Sequence, residues 1–188
     1  MENDLPESPA SPGPRPAAEA RRRVLAAAVE VMSQRPVDPP GGVYFTVLLD
    51  RLPMLATALY GLHDRTGTRT VTANLVDAAV AAMDFYGDAL AACAAAFHSP
   101  GDVVALRRAL LGNDLGPHRA HQPVAAYLSA ERERGRIHPA TDPLGTARLL
   151  LGGCLNHAFV ELIMGEGVLS TRRADAEYLV AGLRLDPT

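Results

Sequence analysis

Tryptophan is absent from this 188-residue chain, and aromatic residues of all kinds make up 5% of it. Cysteine is nearly as scarce, with Cys93 and Cys154 alone. Two isolated thiols build neither a disulfide framework nor a zinc site, so both are expected to be free and buried, in a reducing cytoplasm. Charge of one sign does not dominate. Eighteen Lys and Arg against 21 Asp and Glu leave a net −3, without the basic excess that marks a nucleic-acid binder. No uninterrupted run of about 18 apolar residues occurs, and the stretch Ala89 to Phe97 is too short to span a bilayer, so no membrane partner is expected. Met1 to Pro16 is acidic and rich in Pro and Ser, without the apolar core of a signal peptide. No segment alternates with period two for long enough to argue a strand. Also missing are G-x-S-x-G, H-E-x-x-H, the phosphate-binding G-x-x-x-x-G-K-[ST] and the dinucleotide fingerprint, so neither an enzyme nor a cofactor is expected.

What remains is ordinary globular material: 48% hydrophobic and 21% charged residues. The length suits one domain, or one domain with a small appendage, and buries roughly 70% of the unfolded surface. Residues 1–16 hold five prolines and little apolar matter, which predicts a disordered arm. Helical spacing then begins at Ala17 and runs to Gln34, led by Arg21, Arg22 and Arg23. Pro36, Pro39, Pro40, Gly41 and Gly42 stop it.

A second helix is predicted from about Val43 to Leu62, with Leu48, Leu52, Leu55 and Leu59 on one face and Pro53 kinking or splitting it. Asp64 to Thr70 reads as a loop. The longest helix follows, Val71 to Phe97, with eleven alanines among the 25 residues from Ala73 to Phe97. Leu75, Ala79, Met83, Tyr86 and Leu90 form its stripe. Ser99-Pro100 starts a helix that ends near Gly112. Another runs from about Pro117 to Gly135, with Gly135 suited to a left-handed terminus. Asp142-Pro143 caps a helix to about Met164, with Leu144, Ala147, Leu151, Cys154, Leu155, Ala158 and Leu162 on one side. Thr171 caps the last, to about Leu183. The expected fold is all-α, with helices of unequal length around one core.

The C-terminal half carries a recognisable order: Gly116-Pro117-His118-Arg119 opening a helix through Tyr127 and Glu131, then Gly135-Arg136-Ile137, then Asp142-Pro143, then Ala147-Arg148-Leu149-Leu150-Leu151-Gly152-Gly153 and His157-Ala158-Phe159. This resembles the C-terminal domain of TetR-type (tetracycline-repressor-like) regulators, over roughly Arg21 to Leu183. Arg21-Arg22-Arg23-Val24-Leu25-Ala26-Ala27-Ala28 is similar to that family's first helix. The resemblance implies a TetR-like helical bundle with a shortened N-terminal region. Residues 17–62 would be a remnant of the DNA-binding region with its linking helix, and 63–188 a ligand-binding and dimerisation domain. It implies a transcriptional regulator that senses a small molecule.

The DNA-binding part departs from the pattern. Tyr44-Phe45 runs directly into Thr46-Val47-Leu48-Leu49-Asp50-Arg51-Leu52, and Ser33 to Gly42 leaves ten positions, three of them proline and two glycine. A helix-turn-helix needs about 20. The recognition helix is therefore expected to be missing, and the alternative function is a ligand-binding or dimerising module that has lost DNA binding.

Candidate sites follow. Arg21, Arg22 and Arg23 are either phosphate contacts or a solvated helix end. Phe85, Tyr86, Cys93, Phe97, Tyr127 and Phe159 are either walls of a pocket for a small apolar or amphiphilic ligand or simply core. His157 is a core histidine or a polar group of that pocket, beside Asp84, Asn156 and Glu161. His118 and His121 lie three apart without a third ligand in view, so no metal site is expected. The Glu131-Arg132-Glu133-Arg134 run reads as a solvated face. The resemblance implies a homodimer through the last two helices, with Leu151, Leu155, Phe159 and Leu162 at its interface, and the helix from Pro143 to Met164 is itself apolar on more than one face.

Overall fold

The computed structural model describes residues 18–25, 41–96, 100–165 and 167–186. The described chain is all-α, and no strand occurs among the described residues. The elements are α1 (18–25), α2 (Gly41–Tyr60), a 3-10 turn (His63–Arg65), α3 (Val71–Ala96), α4 (Pro100–Gly112), α5 (Pro117–Glu133), α6 (Pro143–Met164) and α7 (Arg172–Gly182).

Helix ends follow local chemistry. The Asp142 carboxylate accepts from the Leu144 N–H and Pro143 supplies the first turn, as the sequence predicts. Thr171 caps α7 by accepting from the Ala174 N–H. Gly135 takes φ +68 just past α5, the left-handed geometry that a Cβ disfavours. Two boundaries differ from expectation. Gly41 and Gly42 start α2 instead of ending the preceding segment. Pro53 does not split α2, which continues to Tyr60, with the Thr57 hydroxyl donating to the Pro53 carbonyl at 2.9 Å.

Helix α3 is the central strut, with α2, α6 and α7 laid along it, and α5 packs on α6. Its alanines let these neighbours close in. The main core joins Leu55, Leu59, Leu75, Ala79, Met83, Tyr127, Leu128, Leu150, Leu151 and Ala158. A smaller core joins Val24 of α1 to Phe45, Leu48, Leu106, Ala109 and Leu115. Leu52 and Phe85 touch both, so packing is continuous across the division expected at residue 62.

The inward face of α6 differs from the expected stripe. Ala147, Leu150, Leu151, Cys154, His157 and Ala158 are buried, whereas Leu144, Leu155 and Leu162 stand at the solvent side. Helix α6 is apolar nearly all round, so spacing alone does not say which side turns in. On length and mean hydropathy, α6 and the stretch Tyr44–Arg65 would each suffice to cross a membrane, and a third of each window is buried in the packed body.

The charge run at the end of α5 is also corrected. Glu131 is fully buried, not solvated. Its carboxylate accepts from Arg136 Nη1 at 3.0 Å and from the Gly67 N–H at 3.0 Å. Arg136 also donates to the Arg69 carbonyl, and Asn74 Nδ2 donates to the Thr68 carbonyl at 3.0 Å and to Tyr127 Oη at 3.0 Å. These bonds bolt the α2–α3 loop to the end of α5.

Candidate functional site

A cavity of about 500 Å³ lies at the seam between the two cores. That is within the range of roughly 300–1,000 Å³ typical of small-molecule sites. One wall is the α2 face of Leu48, Leu52, Leu55 and Leu59. The opposite wall is α3, through Phe85, Tyr86, Ala89, Leu90 and Cys93. Leu110, Leu115, Ala120 and Pro123 close the α4–α5 side, and Leu155 reaches in from α6. The phenols of Tyr44 and Tyr86 border it; burial pushes each up to about 12, with the Cys93 thiol adding to the rise at Tyr44.

Charge collects at one end of this apolar space. Glu19 and Arg23 of α1, Asp114 of the α4–α5 turn and Arg119 in the first turn of α5 all line it. Arg119 Nη2 lies 2.7 Å from Asp114 Oδ2, and Arg23 Nη1 reaches the same oxygen at 3.5 Å. Arg23 also pairs with Glu19 one turn back. Asp114 holds φ +54, a conformation that Asp tolerates better than most residues. None of Tyr44, Asp114 or Arg119 stands out in sequence, because their convergence depends on how three separate elements meet.

The structure brings together Phe85, Tyr86 and Cys93 of the expected pocket residues. Phe97 lies outside the described residues. Tyr127 is buried in the main core, its hydroxyl bonded by Asn74. Phe159 projects outward at 53% exposure, away from the cavity. His157 belongs to a separate polar cluster. It is 1% exposed, with Nδ1 2.6 Å from Asp175 Oδ2 and Nε2 3.2 Å from Glu161 Oε1. Glu161 pairs with Arg172, which extends to Asp84 across Gly87, where a Cβ would sit 3.2 Å from the guanidinium. Burial works to raise the Glu161 carboxyl, but Arg172 and His157 outweigh it and hold it below its ordinary range. Asp84 and Glu161 are thus occupied in ion pairs, and Asn156 is exposed.

The remaining candidates separate cleanly. Arg21 and Arg22 are exposed on α1, while Arg23 is engaged at the cavity mouth. Most of the segment expected to lack a recognition helix lies outside the described residues. Burial holds the His121 imidazole below its usual pKa, with Arg148 and His118 adding to the effect, and no group of three potential metal ligands occurs among the described residues. Of the four expected interface residues, Leu151 is buried inside the chain and so cannot meet a partner. Phe159 and Leu162 lie on an outer α6 face that also carries Leu149 and Ile163, whereas Leu155 sits at the edge of that face and lines the cavity. Both thiols are held protonated: burial raises Cys93, and burial raises Cys154 to about 12.

Compared with family models, curated proteins and solved structures, the chain matches none.

Proposed function

We propose that this chain is the ligand-sensing and dimerising body of a TetR-type transcriptional regulator, a binding protein and not an enzyme. The carrying observation is the cavity between α2, α3 and α5, apolar over most of its wall and charged at one end. The order of the C-terminal elements, with Gly135 ending one helix and Asp142-Pro143 opening the next, supports the family reading. The outer apolar face of α6 supports an isologous contact between two copies. Protonated thiols in apolar surroundings are inert, which suits binding more than catalysis.

In this reading the ligand acts by population shift. It favours arrangements of α1 and α2 that keep the cavity formed, because both helices line it. Any DNA reached through Arg21 and Arg22 would be held by phosphate contact alone, with strong salt dependence.

The test is a thermal-shift screen of amphiphilic molecules, paired with fluorescence anisotropy on DNA flanking the gene at two salt concentrations. A ligand at 100 times its dissociation constant adds about 2.7 kcal/mol to stability. A screen with no shift would defeat the ligand-sensing reading. The runner-up, a module without DNA binding, is favoured by the engagement of Arg23 inside the cavity mouth. It wins if the ligand shifts the melting temperature and no DNA binds at either salt concentration.

A further inference from the structure

We propose that the cavity takes an amphiphile with a single anionic head, and that Arg23 of α1 and Arg119 of α5 clasp that head together. The inference rests on the ligand-sensing reading above and adds the ligand's charge and its mode of capture.

Arg23 and Arg119 approach one and the same oxygen, Asp114 Oδ2. A single carboxylate position therefore exists within reach of both guanidiniums, and the protein's own side chain marks it. Asp114 is half-exposed on a turn, so it can swing outward and yield that position. A planar guanidinium fork suits an incoming carboxylate, phosphate or sulfate.

The order of the charges decides between an anionic and a cationic head. The side chains of Arg23 and Arg119 are 35% and 38% exposed, against 52% and 50% for Glu19 and Asp114. The cations are the more sheltered pair, and the acids face the solvent. A chain lying along Leu52, Leu55 and Phe85 presents its head to the arginines first. The apolar wall accepts the tail through burial of surface, and a charge there would go unpaired.

The clasp has a structural consequence. Arg23 belongs to α1 and Arg119 to α5, so one head group held by both ties the N-terminal helix to the bundle. A neutral amphiphile of the same length fills the cavity without making that tie.

The experiment is isothermal titration calorimetry of the full chain with dodecanoate, dodecanol and dodecylamine, each below its aggregation threshold. Hydrogen exchange of residues 18–25 is followed with each probe. Dodecanoate is expected to bind at least about tenfold tighter than dodecanol, a margin in keeping with charge-assisted hydrogen bonds. Arg119→Gln and Arg23→Gln should each remove most of that margin, lowering dodecanoate affinity by a larger factor than dodecanol affinity. Asp114→Asn should strengthen dodecanoate binding by removing the competing carboxylate. Exchange in α1 should slow with dodecanoate and not with dodecanol. Equal binding of acid and alcohol would overturn the anionic head while leaving the cavity reading intact, and tighter binding of the amine would overturn it in favour of the acids. No binding of any probe would overturn the clasp and count against the cavity reading itself. The comparison of the three probes on the unaltered chain needs no variant to fold.

Discussion

His157 Nδ1 lies 2.6 Å from Asp175 Oδ2, so a buried imidazole on α6 is fastened directly to α7. Its second nitrogen faces Glu161 at 3.2 Å, at ion-pair distance but off the hydrogen-bond direction. The bond to Asp175 is therefore the directed contact of this ring, and Glu161 is held instead by the Arg172 guanidinium. Arg172 and Asp84 extend the chain of charges to α3. Three helices therefore meet in one polar cluster, rather than through apolar contact alone.

His157→Leu should break this junction. The change leaves two carboxylates without the group between them, which costs about 2–3 kcal/mol for sheltered partners of this kind. For a chain of this length that is a fall of roughly 4–12 °C in melting temperature. His157→Gln keeps a donor for Asp175 and should lose less. Calorimetry on the two variants checks the order, and a His157→Leu protein melting with the parent would contradict it.

Glu131 offers a second test. Glu131→Gln can still accept from the Gly67 N–H but gives up the charge opposite Arg136. Its expected cost is about 1–2 kcal/mol. Glu131→Ala also orphans the Gly67 N–H and leaves a void, with an expected cost of roughly 3 kcal/mol or more. Hydrogen exchange should speed up in the loop 66–70 in both variants, before the bundle as a whole opens. Unchanged exchange there would show that the loop is held by something else.

These two clusters mark where the sequence stops being legible. Caps at Asp142 and Thr171 and the glycine terminus at Gly135 are local devices, each contained within three or four residues, and they read directly. The stripe of Leu48, Leu55 and Leu59 reads well because Thr46, Asp50 and Thr57 mark the opposite, exposed face of α2. Glu131 is hidden by its neighbours: within Glu-Arg-Glu-Arg nothing singles out the buried acid, and its partner Gly67 is 64 residues away. The inward side of α6 is hidden by excess, since leucine occupies every side of it. The cavity is half-legible for a related reason. Phe85, Tyr86 and Cys93 share a face of α3, whereas Asp114 and Arg119 enter only through the turn between α4 and α5.

The outer face of α6 makes its own prediction, resting on the proposed dimer. Phe159 and Ile163 are 53% and 63% exposed and lie clear of the cavity wall. Replacing both with Glu places two charges in the interface, where unpaired charge is costly. Light scattering should then fall from twice the 19.9 kDa chain mass to that mass itself, with helical circular dichroism unchanged. Leu151→Ala serves as the contrast: it should cost about 2–5 kcal/mol of stability by opening the core, with the assembly state of the folded fraction unaltered. A parent protein of single-chain mass at micromolar concentration would refute the dimer.

High pH should unfold the protein through its tyrosines. Burial pushes the Tyr86 and Tyr127 phenols up to about 12 from their ordinary 10.0, and both are almost wholly inaccessible. Asn74, which donates to Tyr127, favours the ionised form but does not offset the burial. In the unfolded chain these phenols lose their protons near pH 10, while in the folded chain they keep them to about 12. Between those values the folded state binds more protons, so stability falls as pH rises. Below pH 10 the contribution is fully present. That difference in proton affinity corresponds to about 2–3 kcal/mol for Tyr86, and Tyr127 acts in the same direction. Buried Cys154, also raised to about 12, acts in the same direction. The chain contains no lysine and all 18 of its cations are arginine, which keeps its charge through this range, so loss of cationic ion pairs does not confuse the transition. Tyrosinate absorbance should therefore show a late step coincident with the loss of helical circular dichroism, between pH 10 and 12. A single early rise centred near pH 10, with the helices intact, would show that Tyr86 and Tyr127 are accessible in the folded protein and that the core around them is not closed.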